Sequence, residues 1–182
     1  MKIHVIRHGL TKYNKLKLIN GQSIDEGLEP EGFLQAEEAI GKIPKNVVRI
    51  YASNMQRTRD TAETINKKLN LQISYHSEVR EVHFGTFSGR NWDDIAKEYG
   101  TKHREGYLAV DYDFTPFGGE SSEMVKDRVK KLIDEIKKNH KDDEEVLIVA
   151  HGGILRIFHN LYGDKEVKHE YIENASVHEF EV

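Results

Sequence analysis

Ile3-His4-Val5-Ile6-Arg7-His8-Gly9 near the start and Val146-Leu147-Ile148-Val149-Ala150-His151-Gly152-Gly153 near the end share one pattern: an apolar run that stops at a histidine followed by glycine. Neither run alternates apolar with polar residues. Each therefore reads as a strand covered on both faces, the mark of a parallel sheet. Helical material lies between them. Pro30 suits a first helical position, and residues 31–43 bring Phe33, Leu34, Ala36, Ala39, Ile40 and Ile43 to one side. Residues 47–52 read as a second strand and 57–69 as a helix with Ala62, Ile65 and Leu69 facing a core. A third strand is expected at 71–75, a short helix at 92–99 and a long one at 121–139 with Val125, Val129, Leu132, Ile133 and Ile136 in a stripe. Residues 154–161 follow as a helix and 176–182 as an alternating final strand. This order favours an α/β fold. Residues 83–119, with glycines at 85, 89, 100, 106, 118 and 119, read as a lid or subdomain over one end of the sheet.

The 182 residues suffice for one core, since scaling laws put the folded surface at roughly 9,000 Å² against roughly 30,000 Å² unfolded. A single soluble domain over 1–182 is expected. Basic residues number 27 and acidic ones 31, which gives −4, and the two signs are interspersed. Neither a nucleic-acid footprint nor a polybasic membrane patch stands out. Cysteine is absent, which excludes disulfides, thiolate zinc sites, iron–sulfur clusters and cysteine nucleophiles. The first apolar stretch is too short for a signal peptide and no run approaches ~18 apolar residues, so a cytoplasmic location is expected.

Ligands of open α/β sheets bind outside the carboxyl ends of the strands. His8 and His151 sit at two such ends, each followed by a glycine that lets a ligand approach. A lone strand-end histidine is usually structural; two with the same flanks, one preceded by Arg7, point to chemistry on an anion. Imidazole would be nucleophile or acid–base group. Arg57 and Arg59 open the helix after the second strand, where the helix dipole favours an anion further.

These blocks together resemble the histidine phosphatases, also called the phosphoglycerate mutase-like superfamily. The N-terminal signature stands as Arg7-His8-Gly9-Leu10-Thr11-Lys12-Tyr13-Asn14, followed by Gly21-Gln22 and Gly32 to Gln35-Ala36. Ser53 to Arg57 with Thr61-Ala62 forms the second block, and Glu81, Phe84-Gly85 and Gly89 the third. Gly118-Gly119-Glu120-Ser121 and His151-Gly152-Gly153 complete the order. The resemblance implies a three-layer α/β/α fold with a mostly parallel sheet and an inserted lid. It implies that His8 becomes phosphorylated through a ring nitrogen, with Arg7, Arg57 and His151 around the phosphoryl group and Glu81 as proton donor. Asn14, Gln22 and the Gly152 backbone would add hydrogen bonds to the phosphate. No metal and no cofactor is implied, because fixed cationic donors can stabilise the loose transition state of phosphoryl transfer. Nearby positive charge would also lower the pKa of His8 below ~6.5 and keep it neutral for attack.

Several positions depart from the family pattern: Leu10 in place of a polar residue, Tyr13 of tryptophan, Thr58 of alanine and Glu29 of threonine. None removes a catalytic group, but Leu10 and His83 bear on the substrate. Mutases of the family carry a longer segment before the second histidine and a shielding C-terminal tail. The chain looks short in both places, so hydrolysis of a small phosphomonoester is expected, among sugar phosphates, phosphoglycerates, α-ribazole phosphate or a phosphoprotein, by a monomer or homodimer. The alternatives are a phosphoglycerate mutase and a phosphate-binding or signalling module without turnover. Tyr107, His103, Phe84 and Phe117 either line a substrate pocket or form the lid's own core. Asp111-Tyr112-Asp113-Phe114-Thr115 fits the D-x-D-x-T pattern of magnesium-dependent phosphatases, yet sits too late in the chain; a solvated turn is the plainer reading. His4 and His8 are no metal pair, because four residues along a strand separate them by ~13 Å.

Overall fold

The computed structural model describes residues 1–163 and 171–182. In chain order it holds β1 (Lys2–Arg7), α1 (Lys12–Lys15), α2 (Pro30–Ala39), β2 (Val47–Ser53), α3 (Gln56–Leu69) and β3 (Ile73–His76). Then come α4 (Trp92–Tyr99), α5 (Lys102–Ala109), α6 (Ser122–Asn139), β4 (Glu145–Ala150), α7 (Gly152–Tyr162) and β5 (Val177–Glu181). The strands form one five-stranded sheet in the order β3-β2-β4-β1-β5. β1 and β4, whose apolar runs signalled the fold, lie side by side and parallel, from Ile3 opposite Val146 to Arg7 opposite Ala150. β2 pairs in parallel with both β3 and β4, and β5 runs antiparallel to β1 at the edge.

Successive residues of β4 enter different cores, as a strand covered on both faces requires. Val146, Ile148 and Ala150 join the α6, α7 and lid side, where the whole stripe Val125, Val129, Leu132, Ile133 and Ile136 is buried. Leu147 and Val149 join Ala36, Ala39, Ala62 and Ile65 of α2 and α3. The result is the expected three-layer α/β/α arrangement. No helix among the described residues is long and apolar enough to cross a membrane.

Three local readings need correction. Phe33 and Leu34 are 38% and 60% exposed, because the buried stripe of α2 is Gly32, Ala36 and Ala39. Those three positions keep to one face, whereas Phe33 and Leu34 lie roughly 100° and 200° around the helix from Gly32. The third strand begins at Ile73 rather than Leu71, since α3 ends in a left-handed Asn70 (φ 52°) and Asn66 clamps Leu71 through both its backbone N–H (2.8 Å) and its carbonyl (2.9 Å). The lid contains a second helix, α5, which a mid-helix Gly106 hid in the sequence. Aromatic rings fill the lid's interior: Phe87 lies 4.5 Å from Phe117 and 5.4 Å from His103, centroid to centroid, and Phe114 5.2 Å from Phe84.

Candidate active site

The carboxyl ends of β1, β2 and β4 meet at one crevice. His8 extends the ladder one step past β1, its N–H donating to Ala150 O at 2.9 Å, and His151 caps α7 directly after β4. The two rings are buried and lie edge to face, 5.2 Å apart. His8 Nδ1 lies 2.7 Å from Gly9 O. A carbonyl only accepts, so Nδ1 carries the proton and the lone pair resides on Nε2. Burial first, then the charges of Arg57 and Arg7, push the His8 pKa well below 6.5 and hold the ring neutral.

Arg57, at the start of α3, is fully buried. Its Nε donates to His151 Nδ1 at 3.2 Å, while Nη1 and Nη2 donate to Ile24 O and Gly21 O, each at 2.9 Å. Three of its five N–H groups are thereby engaged, which leaves two. Burial lowers its pKa to about 10, so it stays cationic at neutral pH. Nδ1 of His151 accepts, which leaves the proton on Nε2 to donate to Ser53 Oγ at 2.9 Å. Burial and the Arg57 charge lower the His151 pKa well below 6.5. Arg7 donates through Nη1 to Ile172 O, and its buried Nε has no hydrogen-bond partner among the described residues. Burial, partly offset by the charge of Glu81, lowers the Arg7 pKa.

Glu81 follows β3 on a segment held from two sides. Its Oε1 accepts from Val82 N at 2.9 Å and its Oε2 from Gly153 N at 3.2 Å. On the other side Arg128 of α6 donates to Glu78 O (2.7 Å), Arg80 O (2.7 Å) and Glu81 O (3.0 Å), and pairs with Glu120. Gly153 leaves room for this carboxylate, since a Cβ on it would lie 2.3 Å from Glu81 Oε1.

Arg7, His8, Asn14, Arg57, Glu81 and Gly152 all line one cavity of about 570 Å³. Asn14 accepts through Oδ1 from Thr11 N and from Asn174 Nδ2, which leaves its own Nδ2 as the donor. Gly152 opens α7, where the first N–H groups have no helical partner. Two expected phosphate ligands stand elsewhere. Gln22 donates to Glu120 Oε2 at 3.0 Å and is not on the cavity wall. His151 lies one layer behind the wall with both nitrogens engaged, where it braces Arg57.

Of the four lid side chains, Phe84 and Tyr107 reach the cavity, whereas His103 and Phe117 pack on Phe87. Leu10 is on the wall; Thr58 instead donates to Ser53 O and Met55 O. Lys17, Trp92, Arg104, Arg156, Tyr171 and Asn174 also line the cavity and were not singled out in the sequence. For Arg156 a signal existed, because it lies four residues after Gly152 on the same helical face. For Asn174 none did, since only the fold brings it to Asn14 across 160 positions. The D-x-D-x-T stretch is a turn: Asp113 Oδ1 accepts from the Thr115 N–H (2.9 Å) and hydroxyl (2.6 Å), and Asp111 is exposed. His4 pairs with Glu145 at 2.7 Å.

A metal-independent phosphoserine phosphatase of Arabidopsis thaliana is 35% identical over 85% of this chain, and the chain spans 66% of that relative's length. Phosphoglycerate mutase-like protein 4 of the same plant is 30% identical over 98% of this chain and 78% of its own. Among solved structures, mycobacterial glucosyl-3-phosphoglycerate phosphatase is 27% identical, with a TM-score of 0.83 over 98% of this chain and 90% of that one. The family model of the histidine phosphatase superfamily (branch 1) matches residues 3–182, and with the two strand-end histidines meeting at one crevice, the chain belongs to that superfamily.

Proposed function

We propose that the protein is a metal-independent phosphomonoesterase that works through a phosphohistidine on small phosphorylated metabolites. The observation that carries this reading is the tautomer of His8. The Gly9 carbonyl holds Nδ1–H, so a neutral imidazole offers the Nε2 lone pair to phosphorus. As the N–P bond forms, the bond from phosphorus to the ester oxygen breaks, and the acid form of Glu81 gives that oxygen a proton. Water then attacks the phosphohistidine, Glu81 takes the proton back, and the N–P bond breaks to release phosphate. Arg7, the free donors of Arg57, Asn14 and the Gly152 N–H stabilise charge on the equatorial oxygens. His151 supports the reading from behind, by fixing Arg57. Two phosphatases among the relatives and neighbours agree with it.

A mutase reading is favoured by one observation: Tyr171, Ile172 and Asn174 cover part of the cavity. A mutase would return the phosphoryl group to bound product, so interconversion of phosphoglycerates faster than phosphate release would select it.

The test is p-nitrophenyl phosphate hydrolysis in excess EDTA by wild type and His8→Ala. Turnover that survives chelation and disappears with His8, together with an acid-labile, base-stable phosphoenzyme in wild type alone, is expected. A His8→Ala protein that still accumulates phosphoenzyme would place the nucleophile elsewhere.

A further inference from the structure

Asn14 sits on α1, a helix of about one turn, which has no stability of its own and depends on what holds it from outside. Thr11 caps that helix and holds the Asn14 backbone, its Oγ1 accepting from Asn14 N at 3.3 Å. The side-chain amide is held separately. Its Oδ1 accepts from Thr11 N at 3.3 Å, past the usual range of roughly 2.7–3.2 Å, and from Asn174 Nδ2 at 3.0 Å. The shorter of the two bonds therefore comes from the other end of the chain.

Asn174 is half-buried on the cavity wall. Its Nδ2 donates to His8 O at 3.0 Å as well as to Asn14 Oδ1, so both hydrogens of one amide are used. A main-chain carbonyl only accepts, which turns the NH2 of Asn174 toward His8. The oxygen of Asn14 meets that same NH2, and the NH2 of Asn14 is left to donate at the cavity. The residues around Asn174 hold the same strand end. Ala175 N donates to Arg7 O (3.1 Å) and His8 O (3.3 Å), and Arg7 Nη1 donates to Ile172 O. Ala175 itself is left-handed (φ 55°), a conformation that alanine adopts only at a cost and keeps only where its surroundings enforce it. The enforced turn delivers two donors to one carbonyl, that of His8.

We propose that Asn174 is a positioning residue: it orients the Asn14 amide so that NH2, and not oxygen, meets the phosphoryl group, and it ties that amide to the His8 carbonyl. The proposal rests on the phosphatase reading, which makes Asn14 a phosphate ligand. The two ends of a carboxamide are alike in shape, so only its partners decide which end meets an anion. Turned over, Asn14 would set an oxygen against the phosphate oxygens.

A double-mutant cycle on p-nitrophenyl phosphate separates orientation from packing. Asn14→Ala should lower kcat/KM by about 10- to 100-fold, the loss of one hydrogen bond to a charged group. Asn174→Ala should lower it by about tenfold alone, and by no more than about twofold in the Asn14→Ala background, where there is no amide to orient. Asn174→Asp keeps the shape of the side chain and serves if Asn174→Ala fails to fold. A carboxylate only accepts, so Asn14 must turn its NH2 toward it and its oxygen toward the phosphate. That loss should exceed the loss in Asn174→Ala and shrink again in the Asn14→Ala background. Calorimetric binding of inorganic phosphate, with the same substitutions made in His8→Ala, reads the coupling without turnover and decides if the wild type is inactive. Equal fold-losses of kcat/KM in the two backgrounds would overturn the positioning role and leave the phosphatase reading intact. Coupled losses of phosphate affinity with no turnover by wild type would support the role and overturn the phosphatase reading. A wild type that neither hydrolyses the ester nor binds phosphate would overturn both.

Discussion

Gly153→Ala presses on the proposed proton donor, Glu81, from the first turn of α7. The new Cβ would stand 2.3 Å from Glu81 Oε1 and 2.8 Å from Val82 Cγ2, whereas real Cβ contacts stay beyond 3.0 Å. The carboxylate must then retreat by at least 3.0 − 2.3 = 0.7 Å, which disturbs the 2.9 Å bond that Oε1 accepts from Val82 N and the 3.2 Å bond that Oε2 accepts from Gly153 N. Gly153 is helical, so alanine brings no backbone penalty and even favours the helix by about 0.5–1 kcal/mol. Folding should persist while the acid is misplaced. A shift of this size at a general acid corresponds to a loss of about 10²-fold in kcat/KM for an alkyl phosphate. p-Nitrophenolate needs little protonation to leave, and its ester should lose only about fivefold or less. Phosphate release from both substrates, with thermal melting as the control for folding, decides the matter. Equal losses for the two esters, or wild-type rates for both, would refute the assignment of Glu81 as proton donor.

His8 and His151 are both held neutral well below their unfolded pKa of ~6.5. Below that pH the unfolded chain takes up protons that the native state refuses, so stability is full above ~6.5 and falls as pH drops beneath it, by up to about 1.4 kcal/mol per pH unit for each histidine. Urea titrations between pH 7.5 and 5 should show this slope, shallower in His8→Gln; an identical slope in the variant would contradict it. Arg128→Met removes a guanidinium that bonds three carbonyls and Glu120, and should cost about 3–5 kcal/mol in chemical denaturation. A loss below about 1 kcal/mol would show that the Glu78–Glu81 segment holds itself. Phe87→Ala empties the centre of the lid's aromatic cluster and should lower stability by about 3–5 kcal/mol, with earlier proteolysis of residues 83–119 than of the sheet; uniform proteolysis would argue that the lid does not loosen separately.

The sequence by itself determined the architecture and the chemical groups. Two non-alternating β-branched runs define buried parallel strands whatever lies between them, and the stripe from Val125 to Ile136 has only one periodic reading. Both signals are local, which is why β1, β4 and α6 emerge close to their expected limits. The same holds for Arg7-His8-Gly9 and His151-Gly152-Gly153, because a strand end places its next residues at the crevice without help from the rest of the chain. Gly106 inside α5 shows where local signals fail: a weak helix former is overridden by packing against the lid's rings. Only the tertiary structure decided which partners each group holds. The proton on His8 follows from a backbone carbonyl next to it, but the places of Arg57, His151 and Gln22 follow from partners up to 98 positions away. Half-buried Gln22 turns to Glu120, and buried His151 to Ser53 and Arg57, because polar groups withdrawn from water take whatever partners packing brings within reach.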